Sequence, residues 1–167
     1  MNDSHVAVRR ASAPDSERLV QLHYDAVQGV SSEFYAPSLL DSWSPLPNSD
    51  RYQWMQNVVE SGSRDVFVAE LQDVMCGFGI CVPSERSIYA LYTAPDFVGR
   101  GIGRKLLEHT ESHFTQEGVS RSSLNSSLNA VQFYKSTGYK VIRASTQALA
   151  DGSEMRCYEM QKILQLT

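Results

Sequence analysis

Two kinds of apolar spacing run along the chain, and the order in which they appear predicts its elements. Val6 and Val8 alternate with polar neighbours, the period-two pattern of a short strand. Ser12-Ala13-Pro14-Asp15 has capping-box form with proline inside the first turn, so a helix starts there, with Leu19, Leu22, Ala26 and Val27 as its apolar stripe. From Val30 to Ser49 the pattern loosens. Pro37, Pro45 and Pro47 break it, which predicts a loop with a short helix around Leu39 to Trp43. A further helix is expected from Asp50 to Ser61, with Trp54, Met55 and Val58 on one side and Gly62 as its stop.

Strand patterning then takes over. Val66 to Ala69, Cys76 to Val82 and Ile88 to Thr93 read as a meander joined by polar connections at Gln72-Asp73 and Pro83-Ser84-Glu85. A glycine-rich stretch opens an amphipathic helix whose buried side is Ile102, Leu106, Leu107, Thr110 and Phe114, with Gly118 as its stop. Val119 to Asn125 is a weakly patterned strand, and Leu128 to Ser136 a short helix ending near Gly138. Tyr139 to Arg143 and Met155 to Ile163 are two closing strands around Asp151-Gly152. This order predicts an α+β (mixed α/β) fold around one sheet.

Composition narrows the partners. At 167 residues the chain fits one domain spanning 1–167, large enough to bury a core without disulfide or metal. A net charge of −4 argues against a nucleic-acid partner, which needs a strong basic patch, and is compatible with a cationic amine ligand. Cys76, Cys81 and Cys157 are odd in number and show no C-x-x-C spacing, so neither a disulfide framework nor a zinc knuckle is indicated, and a reducing, cytoplasmic compartment is the default. Met1 to Arg10 lacks the apolar core of a signal peptide, and no apolar run reaches about 18 residues, so no membrane partner is expected.

Candidate chemistry begins with Val98-Gly99-Arg100-Gly101-Ile102-Gly103-Arg104-Lys105, which follows a strand and opens a helix. The first-turn N–H groups of a helix lack intrahelical partners, and the helix dipole adds partial positive charge. Three glycines let the backbone come close to a bulky ligand, so the stretch suits a pyrophosphate. Arg100, Arg104 and Lys105 add attraction for phosphate. Neither the Rossmann spacing G-x-G-x-x-G nor the P-loop ending G-K-[ST] is met. His109 and His113, four apart on the following helix, have a metal-ligand spacing but not the H-E-x-x-H pattern. A solvated face is the favoured reading, and no metal is expected.

A second cluster runs Ser126-Ser127-Leu128-Asn129-Ala130-Val131-Gln132-Phe133-Tyr134, closing on Gly138-Tyr139. The two clusters in this order resemble the GNAT superfamily of N-acetyltransferases. Val98 to Gly103 match its phosphate motif, and Ser127, Ala130, Phe133, Tyr134, Gly138 and Tyr139 match its later one. Leu91-Tyr92-Thr93-Ala94-Pro95 looks like the family's strand end before the phosphate loop. Val98 departs from the usual Gln or Arg, and Ser127 stands where many members carry Asn.

The resemblance implies a GNAT-like fold, with one central, mostly antiparallel sheet of about six to seven strands flanked by helices. It implies acetyl-CoA as co-substrate and transfer of its acetyl group to an amine of a small molecule or peptide. Cofactor-binding positions would be Leu91, Tyr92, Thr93, Val98 to Arg104, Ser127, Asn129, Ala130 and Tyr134. Tyr134 would be the general acid on the departing thiolate. Leu91 and Thr93 would offer backbone groups to the pantetheine arm and the carbonyl.

An alkylamine of pKa about 10.4 must lose a proton to react, so a base or water relay is needed. Glu85, Ser87 and Tyr89 are the candidates. Tyr35 and Trp43, in an aromatic stretch with Phe34, Tyr52 and Trp54, either wall the acceptor pocket or pack helices on the sheet. A catalytically silent acyl-CoA-binding module is the alternative function, and a homodimer is left open.

Overall fold

The computed structural model describes residues 5–166. Residues 1–4, included in the leader reading above, lie outside them. β1 (Val6–Arg10) leads through a short 3-10 turn into α1 (Ser16–Gln28), followed by α2 (Pro37–Trp43) and α3 (Ser49–Ser61). The meander is β2 (Asp65–Leu71), β3 (Val74–Val82) and β4 (Ser87–Thr93). Then come α4 (Ile102–Gln116), β5 (Arg121–Ser127), α5 (Val131–Ser136), β6 (Lys140–Ala148) and β7 (Glu154–Ile163). All seven strands form one sheet in the order β1-β2-β3-β4-β5-β7-β6, and only β4 and β5 run parallel.

Helices cover both faces, so β2 and β3 read as near-continuous apolar runs, whereas β5 alternates between buried and open positions. On β2, Val66 and Val68 pack with Leu19, Leu22 and Met55 of α1 and α3, while Phe67 and Ala69 pack with Leu106 and Phe114 of α4. The predicted capping box is present: Ser12 N–H donates to Asp15 Oδ2 at 2.8 Å. It caps the 3-10 turn Ala13–Asp15, from which α1 continues. Gln72 and Asp73 both take the left-handed conformation that a tight two-residue hairpin demands.

Four expectations are corrected. β5 runs two residues further than its pattern indicated, to Ser127, and β6 extends to Ala148 because its exposed polar residues still pair with β7. Trp54 is 54% exposed and does not share the buried side of Met55. His109 and His113 are not a solvated face: both stack edge-on against Phe67, at 4.6 and 5.3 Å, and His113 Nε2 lies 2.7 Å from Asp65 Oδ2. Phe67 is an inward β2 side chain beneath α4, so it draws both imidazoles down. Among the described residues, no cluster of three or more His, Cys, Asp or Glu side chains is arranged to hold a metal, and no helix is long and apolar enough to cross a membrane.

α1 also carries a proton-sensitive group. His23 Nδ1 is 2.7 Å from Ser44 Oγ, and the ring meets Tyr92 edge-on at 4.6 Å. Burial, then the Arg51 guanidinium, hold its pKa down to about 4. The folded state therefore keeps His23 neutral, while the unfolded chain takes up a proton near pH 6.5. This stability is fully present above pH 6.5 and is lost as pH falls towards 4. The ring keeps some solvent contact, so the loss is at most about 3 kcal/mol. Urea midpoints should fall across that window in the parent and much less in His23→Gln; parallel curves would contradict this.

Candidate active site

β4 and β5 are in register only at Ser87↔Ser123 and Ile88↔Leu124, and then diverge. The register of β3 on β4 shifts between Ile80 and Cys81, whose partners are Ala90 and Ile88, so Tyr89 is an extra, bulged residue. A bulge bends its strand and breaks the period-two alternation. Ile88 and Leu91 consequently both face α4, while Ala90 and Tyr92 face α1.

Alternate residues of an antiparallel strand direct their backbone groups to one neighbour or the other. Ala94 N–H donates to Cys76 O on β3, so Tyr92 and Ala90 also address β3, and Leu91 and Thr93 address the gap. On the far side, Leu164 N–H donates to Ser120 O and Ser123 N–H to Arg86 O. Residues 122, 124 and 126 thus address β7, and Asn125 and Ser127 turn their backbone groups into the same gap. A cavity of about 70 Å³ occupies it. Ile88, Leu91, Leu124 and Tyr134 line it from the α4 and α5 side, and Trp43, Tyr92 and Met155 from the α1 and α2 side.

The glycine turn sits beyond the end of β4. Gly99 and Gly101 have φ of 81° and 79°, which glycine adopts without strain. No side chain caps α4, so its first-turn N–H groups are open to a ligand. Val98 is 68% exposed, and the Arg100 guanidinium lies 5.2 Å from the Phe97 ring centroid. A Cβ on Gly103 would stand 3.3 Å from Phe133 Cζ. This glycine lets the turn abut α5, joining the two sequence clusters into one site.

The remaining site residues divide. Tyr134 lines the cavity; burial, then the neighbouring Tyr92 phenol, push its pKa up, so it holds its proton. Ser127 and Ala130 line the cavity as well, whereas Asn129 is exposed beside it. Tyr89 lines the mouth and its hydroxyl donates to Glu85 Oε2; Ser87 is built into the β4–β5 pairing.

Of the two aromatic acceptor candidates, Trp43 is a wall. Tyr35 is a strut: 5% exposed, its hydroxyl donates to Arg156 O at 2.6 Å and accepts from Leu128 N–H at 2.8 Å. Sequence reading missed Asn125, Gln147 and Met155, all in the lining. The available signal was a polar Asn in a strand that must run centrally, but only the splay gives it a purpose.

A parallel strand pair thus splays open beside an uncapped, glycine-led helix whose free N–H groups suit an anionic ligand. Residues 44–163 match the family described as an acetyltransferase (GNAT) domain, and the chain belongs to that family. An uncharacterised N-acetyltransferase of Methanocaldococcus jannaschii is 23% identical over 145 residues, 80% of this chain; the chain spans 60% of that relative's length. A GCN5-related N-acetyltransferase of Rhodopseudomonas palustris superposes with a TM-score of 0.87 at 23% identity, covering 98% of this chain and 99% of that one. The PaiA N-acetyltransferase of Thermoplasma acidophilum, solved with coenzyme A, superposes at 0.71 with 17% identity, covering 95% and 99%.

Two outcomes follow from this geometry. Gly101→Val forces a β-branched residue into the left-handed region, costing about 1–2 kcal/mol, and its side chain, which meets no protein atom within 4 Å at Cβ, projects into the space open to a ligand. It should lower Tm and weaken CoA binding at least tenfold by calorimetry; unchanged affinity would remove the turn from the site. Tyr35→Phe leaves Leu128 N–H and Arg156 O without their partner, so it should cost about 1–3 kcal/mol in urea unfolding. A change below a few tenths would show that the strut carries no stability.

Proposed function

We propose that the protein transfers an acetyl group from acetyl-CoA to an amine of a small molecule or peptide, by direct attack within a ternary complex. The observation that carries this reading is the gap between β4 and β5, which opens onto both faces of the sheet. The donor enters on the α4 and α5 side. Its pyrophosphate lies on the N–H groups of Gly99 to Arg104, and its pantetheine arm pairs with the free backbone groups of Leu91 and Thr93. The acceptor enters on the side of Trp43 and Tyr92. The bound coenzyme A of the Thermoplasma acidophilum neighbour supports this choice of donor.

In the reaction the amine nitrogen bonds to the acetyl carbon and the carbon–sulfur bond breaks. The nitrogen loses a proton and the sulfur gains one. Tyr134 donates to the sulfur as charge develops there; its raised pKa keeps the phenol protonated until that moment and draws a proton back from water once CoA leaves the cavity. Tyr89, hydrogen-bonded to Glu85 at the mouth, passes the amine proton to that carboxylate and so to solvent. Backbone groups facing the gap polarise the thioester carbonyl.

Tyr134→Phe keeps the ring and its packing against Phe133 and Tyr139. It should bind acetyl-CoA within a few-fold of the parent and turn over about 10²–10⁴-fold more slowly in single-turnover thiol release. Unchanged turnover would remove Tyr134 from the chemistry. A parent that binds acetyl-CoA but acetylates nothing across a broad amine panel would instead support the silent binding module.

A further inference from the structure

Asn125 stands in the middle of a central strand, yet it is exposed. Its neighbours Leu124 and Ser126 are buried, at 4% and 1%, on the α4 side. By alternation the Asn125 side chain emerges on the acceptor side of the gap. Gln147 of β6 reaches the same cavity from beyond β7. The other acceptor-side walls are Trp43, Tyr92 and Met155. None of these five side chains carries a charge, and burial pushes the Tyr92 pKa up, keeping that phenol neutral.

A carboxylate does stand near. Glu159 is the register partner of Asn125 on β7, but Arg143 Nε holds its Oε2 at 2.6 Å. An ammonium-rich acceptor entering here would meet two amides and, apart from the Arg143-held Glu159, no carboxylate closer than Glu85 at the mouth, so only the Trp43 and Tyr92 faces would offset the desolvation of its second charge. A neutral carbonyl beside the reacting amine would instead find the Asn125 and Gln147 amides and the free backbone groups of Asn125 and Ser127, which offer N–H donors as well as acceptors.

Amine basicity points the same way. At pH 7 an α-amine of pKa about 7.9 is neutral about 300 times more often than an alkylamine of pKa about 10.4. The site that must deprotonate it has only the Tyr89–Glu85 pair at its mouth.

Resting on the acetyltransferase reading above, we infer that Asn125 and Gln147 form an uncharged amide subsite that selects amines bearing an adjacent carbonyl or amide and rejects polycations, with Asn125 the specificity-determining residue.

The test compares L-alaninamide with 1,4-diaminobutane as acceptors, at saturating acetyl-CoA, for the parent, Asn125→Asp and Gln147→Glu. CoA affinity and Tm are measured for each protein. The parent should prefer L-alaninamide at least 100-fold in kcat/KM. Asn125→Asp should shift the ratio at least tenfold towards the diamine, chiefly through KM, with CoA affinity within a few-fold of the parent. Gln147→Glu should shift it in the same direction. A parent that prefers the diamine, variants with unchanged ratios, or a parent that acetylates other amines but neither probe would overturn the inference and leave the acetyltransferase reading standing. Loss of CoA binding by the parent itself would overturn both.

Discussion

Two central strands that cease to pair leave main-chain N–H and C=O groups without partners in the middle of a sheet. Such groups cost free energy wherever they are sealed from water, so a fold tolerates them only where solvent or a ligand can reach. Here the divergence follows two paired residues of β4 and β5, and Tyr89 is bulged at the point of parting. The bulge rotates β4 so that Leu91 and Thr93 present their backbone to the gap, Leu91 turns its side chain to α4 and Tyr92 to α1. Asn125 and Ser127 answer from β5. The other parts of the site are arranged around these unspent hydrogen bonds.

α4 brings the glycine turn to the same divergence. It fills the space under β1 to β4 with Ile102, Leu106, Leu107 and Phe114, and its open N-terminus ends beside the gap. Gly103 keeps the turn against Phe133, and α5 thereby holds Tyr134 in the cavity wall. On the opposite face, the Tyr35 hydroxyl ties the α1–α2 connection to Leu128 and Arg156. The α1–α2 connection and the turn preceding Tyr134 are thus tied together.

The sequence made the local parts of this legible. The glycine run, the Phe133-Tyr134 pair and the apolar periods follow rules set within a few residues, and helix–strand order and family resemblance were read from them. The splay was not legible, because it depends on where β5 stops matching β4, a long-range register. Nor was the role of Tyr35, whose partners lie 93 and 121 residues away in sequence. The helix period predicted exposure for His109 and His113, and an aromatic β2 side chain overrode it by drawing both rings down. Asn125 looked like a weak strand residue because its purpose exists only once the neighbouring strand has left.

Amide hydrogen exchange resolved by residue in β4 tests the central claim most directly. Ala90 and Tyr92 address β3, while Leu91 and Thr93 address the gap. Without ligand, Leu91 and Thr93 should exchange much faster than Ala90 and Tyr92 although all four lie in one central strand, and saturating acetyl-CoA should slow Leu91 and Thr93 selectively. Equal protection of the four amides without ligand, or no change at Leu91 and Thr93 when acetyl-CoA is bound, would contradict the account.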